Sequence, residues 1–259
     1  ANKNGHIQLD FLSTQAELAR GMVTINKYLL QKSNFYLKLA DPIELPIQLG
    51  FFDLKPARFQ SKNAEFTIQG EGNRGNVDLK LDGKIDLGIA EFFSSSLQKI
   101  SGIADATIRM RGPLKELKVN GDINFEGVYA LMRWMQTPFE EVDGAIRIRQ
   151  GVIYVEGVEA YLADEPFFLN GSIATFTDRF PKLDLKAQFD DNKVKLLPLD
   201  FVQAKGTAWI HGEAPPYLIS GNIEVVQALY TKSFGNAGAV SVRGDRFAPV
   251  QSDTQGANS

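Results

Sequence analysis

The chain contains no cysteine, which excludes a disulfide framework and thiolate zinc sites and fits any compartment. Histidine is almost as scarce. His6 and His211 stand far apart without cysteine companions, so no metal centre is indicated, and His211 is expected on the wet face of a strand. No run of about 18–20 apolar residues occurs, so no segment is expected to span a membrane as a helix. Neither sign of charge dominates: 28 Lys and Arg against 31 Asp and Glu leave a net charge of −3, with no electrostatic reason to expect nucleic acid. No charged n-region with an apolar core follows Ala1, so the chain reads as a mature or excised piece. Helical patterning is scarce too.

What is present is strand. Hydrophobic content of 44% and charge of 23% are ordinary for a folded soluble protein, and 18 Phe favour strands with a well-filled apolar face. The 259 residues suffice for one large all-β domain or two smaller ones.

One short pattern returns 100 positions later. Residues 112–125 read GPLKELKVNGDINF and residues 212–225 read GEAPPYLISGNIEV, with Gly112 and Gly212, Gly121 and Gly221, and Ile123 and Ile223 in equivalent places. The segments TIRMRG and TAWIHG precede them, and FTIQG with VDLKLDGKIDL forms an earlier relative. Each copy is an alternating strand, a turn and a second alternating strand with Gly in its middle. A repeated supersecondary unit points to a stacked, elongated architecture.

Period-two alternation runs from about residue 64 to residue 226. Leu79, Leu81, Ile85 and Leu87 face one way while Lys80, Asp82, Lys84 and Asp86 face the other. Alternation rather than continuous apolar runs argues for antiparallel strands with one wet face. Gly83, Gly121, Gly144, Gly171 and Gly221 fall at apolar-facing positions, which predicts bulges, curvature or close backbone approach rather than turns. Helix is expected only over residues 14–31 and, as a short amphipathic piece, from Glu91 to Ile100. Val128 to Met135 reads as a turn of helix or a continued strand. The chain thus divides into 1–63, an N-terminal part of the same elongated β-architecture, a trough, with the helix at 14–31, then the repetitive β-trough over 64–230, then a flexible tail or linker over 231–259.

These strands present more apolar face than so few helices can cover. Each large side chain buried is worth roughly 1.5–3 kcal/mol, and soluble proteins rarely expose apolar patches beyond a few hundred Å². The faces must therefore pack on one another or line a groove that receives an apolar ligand. About 15 strands in one ladder would extend roughly 70 Å, and a sheet that long curls or splits.

Chemical motifs are few. Gly70-Glu71-Gly72-Asn73-Arg74-Gly75 matches G-x-G-x-x-G, but an alternating strand follows it where a dinucleotide site needs a helix, so it reads as a wide hairpin. The pairs Glu140–Glu141 and Asp190–Asp191 point to opposite faces if they lie on strands, which makes neither an acid/base dyad. Arg243-Gly244-Asp245 and Asn170-Gly171-Ser172 read as chance matches. No catalytic constellation is found and no cofactor is expected. The cluster from Tyr129 to Met135 reads as an end plug or core corner, or as a soft, polarizable edge to a site for an apolar ligand.

The stretch 101–157, with GIADA before a strand, G-x-L-x-x-L-x-V-x-G-x-I after it, VDGAIRI, GVIYVEG and a later FFLNGSI, resembles the repeat region of TamB-like proteins of the AsmA-like superfamily. The likeness covers about 64–230 and fades on either side. It implies an all-β, elongated, curved sheet folded into a taco-like trough with an apolar interior, with one or two short helices. It also implies a segment, internal or late, of a bridge-like lipid transfer protein. The full-length protein would be anchored in the inner membrane of a Gram-negative bacterium and would cross the periplasm toward the outer membrane.

On that expectation the chain conducts phospholipid acyl chains without catalysis. The expected groove lining is Ile85, Ile108, Met110, Val119, Ile123, Phe125, Val142, Ile146, Ile148, Phe167, Leu169, Ile173 and Ile223. The alternative it implies is a scaffold or chaperone for outer-membrane protein assembly, working with an Omp85-class barrel that meets a region outside this chain.

Overall fold

Sixteen β-strands make up most of the described chain, and they belong to one antiparallel sheet. The computed structural model describes residues 4–12, 20–32, 35–48, 51–73, 75–174, 180–195 and 201–229. The first seven strands are β1 (Asn4–Leu12), β2 (Arg20–Lys32), β3 (Phe35–Leu39), β4 (Ile43–Gln48), β5 (Phe51–Gln60), β6 (Glu65–Gly72) and β7 (Asn76–Asp86). A 3-10 turn (Leu87–Ile89) and the single-turn helix α1 (Ala90–Phe93) interrupt the series. Then come β8 (Leu97–Ser101), β9 (Ile103–Pro113), β10 (Lys118–Met132), β11 (Phe139–Arg149), β12 (Val152–Leu162), β13 (Glu165–Ala174), β14 (Lys182–Val194), β15 (Phe201–Gly212) and β16 (Leu218–Leu229).

Strand order follows chain order from β1 to β16, with two short strands off the main path. β4 pairs with β2 and β5, and β8 pairs with the far end of β10. Residue 63 lies in the β5–β6 hairpin, so the sheet runs unbroken across the boundary drawn there. The fold is thus the all-β curved sheet that the alternation predicts, built mostly from hairpins between consecutive strands. The tail over 231–259, with Arg243-Gly244-Asp245, lies outside the described residues.

Two expected helices are corrected. Over 14–31, the described part is strand β2, paired with β1 on one side and with β4 and β3 on the other. The run Val23-Thr24-Ile25 is β-branched, and ladder bonds on both edges outweigh the helix propensity of the residues before it. From Glu91 to Ile100, only the turn at Ala90–Phe93 is helical. Ser94 turns extended and Leu97–Ser101 takes up the free edge of β10 instead. Tyr129 to Met132 continues β10 as a strand.

The 100-residue repeat is a pair of equivalent hairpins, β9–β10 and β15–β16. Gly121 stands opposite Ile108 and Gly221 opposite Ala208, so the register is the same in both copies. At Gly221 a Cβ would lie 2.2 Å from the Thr207 carbonyl oxygen, and at Gly121 2.8 Å from that of Thr107. Both glycines therefore mark close backbone approach inside a strand.

Curvature has a local cause. Bulges occur between Phe125 and Val128, Glu140 and Asp143, Val155 and Val158, and Phe189 and Asn192. A bulge bends its strand and adds twist, and bulges on β10, β11, β12 and β14 bend the sheet along a band rather than at a point. Neighbouring side chains cap two of them: Gly127 N–H donates to Asp143 Oδ1 at 2.6 Å and Gly157 N–H to Asn170 Oδ1 at 2.7 Å.

Candidate functional site: an apolar face across the sheet

The registers align the apolar residues of successive strands into rows running across the sheet. One row reads Phe59, Phe66, Gly83, Ala106, Ile123, Ile146, Val155, Gly171, Leu185, Ile210 and Ile219. It crosses eleven strands, β5 to β16 without β8, and meets no polar side chain. At ~4.8 Å per strand that is roughly 50 Å of continuous apolar or glycine surface. A second row reads Ala57, Ile68, Leu81, Ile108, Gly121, Ile148, Ile153, Ile173 and Leu183. The period of two keeps both rows on one face.

All thirteen residues expected to line a groove lie on this face. Met110 pairs with Val119; Ile85 and Phe125 flank Ala104; Val142 faces Val128. Phe167 leads through Phe189 and Gly206 to Ile223, and Leu169 through Ala187 and Ala208 to Gly221. Val119 and Ile148 are buried, and most of the others are half-buried. Ile223 is exposed, as is every residue of β16, the last of the described strands.

The opposite face is polar and cross-linked by charge. Arg109 donates through Nε and Nη2 to both carboxylate oxygens of Asp78, each at 2.8 Å, and Arg111 adds a contact at 3.0 Å. Hydrogen bonding from Arg109 holds the Asp78 carboxyl below the usual carboxylate range. Lys80 and Thr107 do the same for Asp82. Arg149 bonds Asp122 at 2.6 Å, and Lys205 pairs with Glu224 at 3.3 Å. At the rim where the two faces meet, a cleft of about 500 Å³ is lined by Phe51, Phe52, Val77, Asp78 and Arg111.

The apolar face is covered only in part. No large side chain among the described residues is fully buried. The densest packing lies near β3, where Phe35, Leu37 and Phe66 form a core against Phe59, Leu81, Ile85, Ile89 and Phe92. The insertion between β7 and β8 folds Ile89 and Phe92 onto this face, with the Phe92 ring 5.6 Å from that of Phe35. The patterning of β7 and β9 carries no sign of this cover, because the contact joins residues far apart in sequence. From β9 to β15 the face has no comparable helical lid among the described residues.

The other motifs are structural where described. Asn73 Oδ1 accepts from the N–H groups of Gly75 and Asn76, so the glycine-rich run is a short β6–β7 hairpin. Glu141 and Asp191 occupy positive φ of 48° and 56° at bulges, so both acid pairs sit at exposed kinks rather than in regular strand. Asn170 is spent on the bulge of β12. Among the described residues no group of three or more His, Asp or Glu could hold a metal ion. No described helix is long and apolar enough to cross a membrane. No protein-family model, curated protein or solved structure matches the chain.

Proposed function

We propose that this chain is a segment of a bridge-like protein that carries phospholipid along its apolar face, without catalysis, across the periplasm between inner and outer membranes. One observation carries the reading: apolar rows continuous over roughly 50 Å, on a sheet in which no large described side chain is fully buried. A protein interior is normally packed to crystal density, so an apolar face this long and this thinly covered suits a mobile apolar guest. Acyl chains lie against Ile108, Ile123, Ile146, Ile148 and Ile173, and headgroups stay near the charged rim at Asp78 and Arg111. Transfer is diffusive, since every rung offers the same chemistry.

A photo-crosslinking amino acid at Ile123 or Ile146 is expected to capture phospholipid in cells, and one at Lys118 or Arg147 is not. Capture from the polar phase alone would refute the assignment of faces. The scaffold reading, in which the sheet passes unfolded strands to an Omp85-class barrel, draws on β16. Its exposed Leu218, Ile219 and Val225 lie on an edge without proline or lysine, open to strand addition. That reading expects crosslinks to polypeptide from β16 and none to lipid from Ile146.

A further inference from the structure

The connection between β10 and β11 makes a contact that strand order does not require. Between β10 and β14 lie β11, β12 and β13. On a flat ladder four strand spacings would separate them by about 19 Å. Instead Gln136 N–H donates to the Lys195 carbonyl at 2.9 Å. Lys195 N–H donates to Thr137 Oγ1, also at 2.9 Å. Residues 133–138 therefore form a strap that reaches the end of β14 and closes this rim of the sheet.

Neighbouring side chains on the strap have opposite fates. Met135 is 3% exposed, whereas Trp134 is 51% exposed. At the same corner Leu162 and Asn192 are buried, and Asn192 Nδ2 ties the end of β14 to the carbonyls of Leu162 and Glu165. The strap leads directly into Phe139, whose ring lies 5.1 Å from that of Phe167 on the apolar face. Met135 is thus a buried apolar side chain on the strap, four residues before Phe139 enters the apolar face. Its unbranched, polarizable thioether suits a site that must fill and empty.

We propose that the strap is a gate: Met135 occupies space that an acyl chain takes when the two bonds to Lys195 part. The inference rests on the lipid-carrying function proposed above, and it adds a closed state to that function. The strap is turn and bend with one isolated β-bridge at Met135, not a run of ladder pairs, so its parting need not rearrange β11 to β13.

The chain has no cysteine, so Gln136→Cys with Lys195→Cys introduces the only two thiols. The bond from Gln136 N–H to the Lys195 carbonyl holds the two residues side by side, within the Cα separation of up to about 7 Å that a disulfide tolerates. The full chain carries a photo-crosslinking amino acid in place of Phe167 or of Ile123. It is mixed with vesicles of phosphatidylethanolamine and phosphatidylglycerol. Oxidation is expected to abolish lipid capture at 167, leave it at 123, and be reversed by reductant. Thr137→Val, which removes the hydroxyl acceptor, is expected to raise capture at 167.

Loss at both positions on oxidation supports a gate that governs the whole groove. Undiminished capture at 167 in the oxidised protein overturns the gate and leaves the lipid reading standing. Failure of the two thiols to join under oxidant overturns it by denying the contact. Capture at neither position in the reduced protein defeats the lipid reading, and the gate falls with it.

Discussion

Ile146→Asp places one carboxylate in the apolar row between Ile123 and Val155. Full burial of such a side chain is worth roughly 1.5–3 kcal/mol, and Ile146 is half-buried, so its loss costs about 1–1.5 kcal/mol. Replacing a β-branched residue with Asp within a strand adds up to about 1 kcal/mol. The sum is about 1–2.5 kcal/mol, provided that water still reaches the carboxylate. In a dry, closed core the charge would cost several kcal/mol more. For a sheet of this size the open case lowers the melting temperature by roughly 2–10 °C. Ile148, two residues along on the same face, is only 8% exposed, and Ile148→Asp is expected to lose far more. Far-UV circular dichroism melts give the first quantity, and mass spectrometry of lipid retained by the purified protein gives the second. Ile146→Asp is expected to stay folded and to retain less lipid. An unfolded Ile146→Asp would show the face to be a closed core, and a folded variant with undiminished lipid would refute its role in binding.

Gly171→Val is expected to cost about 3 kcal/mol or more and to show as a fall in urea midpoint. Its backbone lies at φ 139°, and a Cβ there would meet the Asp184 carbonyl oxygen at 2.1 Å and Leu185 Cα at 2.8 Å, neither able to yield. Gly127→Ala, with nothing within 4 Å of the added Cβ, is expected to cost only about 1 kcal/mol, from its φ of 63° alone. Asn192→Ala removes the bonds from a buried amide to the Leu162 and Glu165 carbonyls and is expected to destabilise by about 1–3 kcal/mol, read from the same titration. Because the folded Asp78 carboxyl is held low by Arg109, its pairing stabilises in full above the unfolded value of about 3.9. That contribution is lost as pH falls through the lower folded value. Asp78→Asn should thus lower stability slightly at neutral pH and converge with wild type in strong acid; a difference that grew toward acid would refute the sign.

The strands of the repeat were legible because a period of two needs no partner to be recognised. Each of Ile108, Ile123, Ile146 and Ile173 could be placed on a face from its own neighbours in the chain. Where tertiary partners decide conformation, local reading failed. Val23 to Leu30 is strand because β1, β3 and β4 pair with it, and Leu97 to Ser101 is strand because β10 left an edge free. The bulges that hold Glu141 and Asp191 have no pattern of their own, so the kinks at the two acid pairs could not be read locally.

By itself the sequence determined that this protein is all-β and that its strands share one apolar face. Alternation is a property of each segment alone, and the identical register of two hairpins one hundred residues apart follows from their glycines. Only the tertiary structure decided how that face is covered: by Phe92 near β3, with a strap from Gln136 and Thr137 to Lys195 at one rim and, among the described residues, no helix between. Those contacts join residues separated by dozens of positions. They depend on the summed bend of many bulges, which no single stretch of chain encodes.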